Sequence, residues 1–181
     1  AAKKQIATTR SFDHDLYDFE PIHQRIAQYA ASCAEKLRAQ GSLCGEIVVF
    51  ILTNRHKEHL PQYYDSRLVK LSVPTDSTLE LTTTAVGLLR QLFRKGYPYK
   101  RAGVILSDLR SKRGTQRDLF DTADREKHDR LMAAVDALNS AYGRHKIVTA
   151  AEGFEPFKMN REHLSQRFTT DWDHIIRVKS G

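Results

Sequence analysis

Apolar positions along this chain recur with two periods, about 3.6 residues and two, and each switch between them marks an element boundary. Lys3 to Phe12 reads as a strand, with Ile6, Thr8 and Thr9 favouring extension and no breaker among them. Asp13 to Asp18 reads as a turn-rich loop. A helix is expected to start near Phe19 to Pro21, with Asp18 as N-cap and Pro21 in the first turn. Its apolar stripe is Ile22, Ile26, Tyr29, Ala30, Cys33 and Leu37, and Gly41 ends it. Glu46 to Thr53 is apolar at nearly every position, the pattern of a central strand. Asn54 to Gln62 is a polar loop. Arg67 to Val73 then alternates, with Val69, Leu71 and Val73 on one side and Ser66, Lys70 and Ser72 on the other; Leu68 interrupts the polar side and Pro74 is expected to stop the strand.

Ser77-Thr78-Leu79-Glu80 has the form of a capping box. The helix it opens is expected to run to about Lys95, with Leu81, Ala85, Leu88, Leu89, Leu92 and Phe93 inward and Gly96 at its end. Arg101 to Leu109 reads as a last strand centred on Val104, Ile105 and Leu106. The order βαββαβ over residues 1–110 predicts an α+β two-layer sandwich: a four-stranded sheet with two helices on one face and the other face open.

Residues 111–124 form a linker, and 125–181 a C-terminal extension. Arg125 to Tyr142 is a predicted helix carrying Leu131, Ala134, Val135 and Leu138, closed by Gly143. Lys146 to Ala150 is a candidate short strand. Gly153 to Gly181 holds the aromatic anchors Phe154, Phe157, Phe168 and Trp172 with few regular signals.

Composition sharpens this. No apolar run approaches membrane-spanning length, and no signal-peptide pattern opens the chain. It begins Ala1-Ala2-Lys3-Lys4 and already reads as structure at residue 3, as a fragment of a longer protein would. Two cysteines, Cys33 and Cys44, make no disulfide framework, and a reducing cytoplasm is expected. The formal charge is +7; residues 1–110 hold 16 Lys and Arg against 11 Asp and Glu, so the basic excess falls mainly on the sandwich. That favours a polyanionic partner there.

Candidate contacts follow from the strand pattern. Lys70 and Ser72 lie on the polar side of their strand, and Lys3, Lys4, Arg10, Arg67, Lys100 and Arg101 lie at strand ends. Such side chains grip phosphates without reading sequence. No aromatic pair stands out on a strand, which makes base stacking the less expected mode. Catalytic readings are thinner. Asp171 and Asp173 flank Trp172 in the tail without a strand to fix them or a third carboxylate nearby, where two-metal chemistry needs a carboxylate cluster. His56 and His59 lack the Cys partners of a zinc set. No Gly-rich phosphate loop occurs.

The linker carries Gln116-Arg117-Asp118-Leu119-Phe120 between Ser111–Gly114 and the acidic Asp121–Asp124 stretch, flanks with nothing to bury two large apolar side chains. The spacing Gln-x-x-Leu-Phe resembles the short motif by which bacterial DNA polymerases dock on the sliding clamp. Gln116 would supply a donor and an acceptor, and Leu119 and Phe120 would fill adjacent apolar pockets.

A wider resemblance joins these parts. Thr9-Arg10-Ser11-Phe12, Gln28-Tyr29-Ala30, Ala34-Glu35-Lys36-Leu37-Arg38, Tyr63-Tyr64, Pro74-Thr75 and Ala102-Gly103 with Asp108 resemble the little-finger domain of Y-family translesion DNA polymerases, in its UmuC-like branch. Lys158-Met159-x-Arg161-Glu162-x-Leu164-Ser165 and Thr169-Thr170-x-Trp172 are similar to the end of those chains. Asp13 departs from the family, which often has Gly there, and so does Arg117, at an often apolar position of the clamp motif. The resemblance implies a bacterial protein of DNA repair in the SOS response. Its little finger would lie along the template-primer duplex, and its tail would contact a UmuD-like partner. The Mg²⁺-binding carboxylates would sit in a palm domain outside this chain, leaving the fragment itself without cofactor or chemistry. The alternative is a free-standing α+β nucleic-acid- or protein-interaction module unrelated to a polymerase.

Overall fold

The computed structural model describes residues 3–113 and 125–143. The Gln116–Phe120 motif, the short strand expected at 146–150, the carboxylates Asp171 and Asp173, and the aromatic tail lie outside them.

The described elements are β1 (Ile6–Leu16), α1 (Phe19–Ala39), β2 (Ser42–Thr53), β3 (Tyr64–Thr75), α2 (Thr78–Leu92), β4 (Tyr99–Ser111) and α3 (Arg125–Tyr142). The strands form one antiparallel sheet in the order β1-β4-β2-β3, which is the α+β sandwich the pattern predicts. Ile6, Leu106, Ile47 and Val69 stand side by side across it and point toward the helices. There they meet the α1 stripe, where Ile22, Ile26, Ala30, Cys33 and Leu37 are fully buried and Tyr29 nearly so. From α2 come Leu81, Ala85, Leu88, Leu89 and Leu92. Each large aliphatic side chain taken out of water here contributes roughly 2 kcal/mol. Cys33, read as core, is buried beside Thr8, whose Oγ1 lies 3.3 Å from its Sγ. Gly41 leaves α1 at φ +67 and Gly96 turns the chain ahead of β4 at φ +94, conformations that favour glycine.

Several boundaries differ from the sequence reading. β1 runs on through Asp13, His14 and Asp15 to Leu16 rather than ending in a loop: Phe12 and Leu16 are buried anchors, and β4 supplies a partner at Tyr99 across an irregular register. β3 passes through Pro74 to Thr75; it is an edge strand, where a missing N–H costs no ladder bond. α2 ends at Leu92, and Phe93 is its C-cap. The capping box does not form, since the Ser77 side chain makes no cap bond. Glu80 instead takes the Arg125 guanidinium.

α3 has the predicted span, but its apolar residues do not seat it. Leu131 and Leu138 are exposed, and Met132 is its one buried residue. Polar groups dock the helix. Arg38 of α1 makes a two-point pair with Asp136, Nε to Oδ2 at 2.7 Å and Nη2 to Oδ1 at 2.8 Å, while its Nη1 donates to the Asp76 carbonyl and to Thr78 Oγ1. Lys112 bridges Asp76 and Asp129, each at 2.9 Å. The extension thus begins as a helix clasped to the sandwich by charge.

Candidate nucleic-acid interface

The face of the sheet away from the helices carries no covering element among the described residues. Register fixes what it presents. Ala7, Ile105, Val48 and Leu68 form one row across all four strands; Thr9, Gly103, Phe50 and Ser66 form the next; Ser11, Arg101, Leu52 and Tyr64 the third. At the other end Ser107, Glu46 and Lys70 stand in line. The centre is therefore apolar and the borders carry hydroxyls and charge. Tyr64 is 62% exposed and Leu68 54%. A hollow of about 200 Å³ adjoins the third row, lined by Leu52, Thr53, Arg55, Gln62, Tyr63 and Tyr64.

The eight basic and hydroxyl positions singled out in the sequence do not gather at one place. Lys70, Ser72 and Arg101 lie on the open face. Arg101 donates to Thr9 Oγ1 at 3.3 Å and has no ion pair among the described residues. Lys70 sits 3.7 Å from Glu46 Oε1. Arg10 opposes Ala102 and Arg67 opposes Val49, so both belong to the helix side of the sheet; Arg10 donates to the Thr9 carbonyl and Arg67 lies 4.0 Å from Asp65. Lys100 reaches the Asp13 carbonyl at 3.4 Å. Lys3 is tied through its backbone to Gln40 at the end of α1, and Lys4 is exposed just before β1. Period-two alternation was enough to place Lys70 and Ser72. Arg10, Arg67 and Arg101, expected at strand ends, lie within β1, β3 and β4, because those strands run longer than their apolar pattern; Arg10 and Arg67 register toward the helix side, yet the first stays part-exposed and the second exposed.

The sequence reading missed Phe50 and Tyr64, aromatics on neighbouring strands of one open face. The signal was there in β2: with Ile47, Val49 and Ile51 facing the helices, Val48, Phe50 and Leu52 had to face the other way.

Burial silences the two thiols: Cys44 is pushed up to about 12 and Cys33 is also raised. His56 and His59 stay in the loop after β2, which Gln62 Nε2 organises by donating to the carbonyls of Asn54, Lys57 and Leu60. Among the described residues no three His, Cys, Asp or Glu side chains come together as a metal-binding group, and no helix is long and apolar enough to cross a membrane.

Fold and face together define an α+β module built to present a sheet surface. The chain belongs to the impB/mucB/samB family: the model of that family's C-terminal domain matches residues 3–119, and that of a domain of unknown function (DUF4113) matches residues 129–178. It is 36% identical over 180 residues to Protein UmuC and 35% identical over 182 residues to Protein ImpB, both of Salmonella typhimurium. These matches cover 98% and 99% of this chain and 43% of each relative, so the chain spans less than half their length and is similar to a C-terminal portion of a UmuC-like protein. DNA polymerase IV of Pelotomaculum thermopropionicum is 38% identical over 85 residues, 47% of this chain and 21% of that one. Among solved structures, an insertion ternary complex of Dbh DNA polymerase aligns at TM-score 0.48 and 17% identity, over 59% of this chain and 29% of that one.

Proposed function

We propose that this chain is the DNA-gripping and partner-docking part of a translesion DNA polymerase of the Y family, acting in DNA repair. Its open sheet face lies along the backbone of the template-primer duplex, and Gln116, Leu119 and Phe120 dock on the sliding clamp. A UmuD-like subunit is the partner of the tail. Nucleotide transfer, with its Mg²⁺ ions, belongs to a palm domain outside this chain, and the protein works in the bacterial cytoplasm. The observation that carries the reading is a sheet face that no described element covers, in a chain related along its length to UmuC and in part to a DNA polymerase IV. A free-standing interaction module gains nothing from those relatives.

Duplex binding followed by fluorescence anisotropy tests it. The 181-residue chain should bind duplexes of unrelated sequence with similar affinity, and log K should fall linearly with log salt. Arg101→Ala should reduce the slope by roughly 0.9, the share of one phosphate contact. An affinity indifferent to salt, or tracking base sequence, would overturn the reading.

A further inference from the structure

We propose that Glu46 limits the grip of the open face by neutralising Lys70, so that Arg101 and not Lys70 is the cation presented to phosphate. The inference rests on the DNA reading above and assigns roles within that surface.

The geometry is specific. Glu46 lies on β2 between Ser107 of β4 and Lys70 of β3, each its direct cross-strand neighbour. The buried Ile47 points to the helices, so Glu46 points to the open face. Its side chain is 24% exposed while that of Lys70 is 80% exposed. Ser107 Oγ donates to Glu46 Oε2 at 3.1 Å, and Lys70 Nζ is 3.7 Å from Oε1. The carboxylate is therefore pinned from one side by a hydroxyl and draws the exposed lysine from the other.

A second carboxylate reinforces it. Asp108 follows Ser107 on β4 in a left-handed conformation, φ 50, and is bound by Arg110 at 2.7 Å. Arg110 and then, more weakly, Lys70 act on its charge. The end of the face that holds Glu46, Lys70, Asp108 and Arg110 thus carries two negative and two positive charges. The Arg101 end differs: among the described residues that guanidinium meets the Thr9 hydroxyl and no carboxylate, beside Ser11.

An exposed pair of this kind stabilises the fold little. Its consequence is electrostatic. A phosphate arriving at Lys70 meets a carboxylate already there, so little counterion is released by that contact; a phosphate arriving at Arg101 meets a full positive charge.

The test uses the whole chain, a duplex DNA probe and anisotropy across salt, with Glu46→Gln as the key variant. Gln keeps an acceptor for Ser107 and removes the charge. E46Q should bind several-fold more tightly at low salt, with a slope steeper by roughly 0.9. Lys70→Ala should leave the wild-type slope unchanged yet cancel the gain in the E46Q background. Melting curves confirm that each variant is folded. If folded E46Q binds as wild type does, or if K70A alone flattens the slope as much as R101A, Glu46 does not limit the grip although the DNA reading stands. If the wild-type chain binds no duplex at any salt, the DNA reading fails and this inference with it.

Discussion

The ring of Phe50 occupies the space over Gly103: a Cβ at position 103 would stand 2.4 Å from Phe50 Cε1 and 2.5 Å from Thr9 Cγ2. The three residues oppose one another on β2, β4 and β1. Gly103 is absent from the residues with positive φ, so the position needs glycine for room and not for conformation. Without a side chain there, two neighbours meet across β4 and the centre of the open face is continuous.

Gly103→Ala should therefore destabilise by overpacking, by about 1–3 kcal/mol, seen as a lower denaturant midpoint. Phe50→Ala in the same chain should relieve the clash, so the double variant should be more stable than the sum of the two single effects allows. Strict additivity in that cycle would show that Phe50 and Gly103 are not coupled.

Arg38 offers a second test, of how α3 is held. Its side chain is 12% exposed and serves α3 through Asp136 and the turn before α2 through Asp76 and Thr78. Asp136→Asn should loosen the helix alone, leaving the sandwich intact, because Arg38 keeps its two other acceptors. Arg38→Ala should cost more, about 2–3 kcal/mol, since it removes a largely buried charged donor from three acceptors. Hydrogen exchange separates the two: faster exchange confined to residues 125–143 in D136N, and reaching residues 76–80 in R38A. Uniform effects in both variants would contradict this division.

These cases show what the sequence made legible. The helices were readable because their buried stripes, such as Ile22-Ile26-Tyr29-Cys33-Leu37, repeat over many turns and little else competes with burial. Strand ends were not, because distant partners decide them: Asp13 to Asp15 is a polar run that stays extended between the buried anchors Phe12 and Leu16, with Leu16 opposite Tyr99 of β4, and Pro74 is tolerated at an edge. The cap at Ser77 was misread because Glu80 has a stronger claimant in Arg125, 45 residues away. α3 reversed the usual logic. Its seat is charged since the sandwich offers Arg38, Glu80 and Lys112 at that place, and no local pattern reports a surface made by residues from α1, α2 and the end of β4. The open face was half legible: the period of two placed Lys70 and Ser72, but strand order was needed to bring Arg101, Phe50, Tyr64 and Glu46 onto the same surface.

Alkaline pH should unfold the sandwich. Burial pushes the Tyr29 and Tyr99 phenols from 10.0, and the Cys44 thiol from 9.0, up to about 12. The folded pKa values are raised, so these groups hold their protons longer folded than unfolded. Their contribution is fully present below pH 9 and is lost progressively as pH rises toward 12. Tyr99 adds a structural reason: its hydroxyl donates to the Arg94 carbonyl and accepts from the Arg94 N–H, and the phenolate can no longer donate. Unfolding midpoints measured at several pH values from 8 to 11.5 should fall from about pH 9 upward, with Tyr29 and Tyr99 ionising late in an ultraviolet titration. A midpoint constant to pH 11.5 would rule this out.

In sequence, Leu119 and Phe120 fall between two anchored points. Lys112 is held by Asp76 and Asp129, and Arg125 by Glu80 and Thr75. If Gln116 to Phe120 is a clamp-docking peptide, its two apolar side chains contribute by burial in the clamp, roughly 2 kcal/mol each. The cost of ordering the segment offsets part of this, and an affinity on the order of micromolar follows. Leu119→Ala with Phe120→Ala should then abolish clamp binding in a titration while leaving the melting temperature of the free chain nearly unchanged. The opposite holds if both side chains complete a core of this chain: the double substitution should cost several kcal/mol and lower the melting temperature markedly. Arg117→Leu separates the two accounts further. At a position where the family motif is often apolar, it should strengthen clamp binding without altering stability, whereas a packed segment has no reason to respond in that pattern. A large loss of stability in the double variant, with no clamp binding by the wild-type chain, would remove the docking motif from the account of this protein.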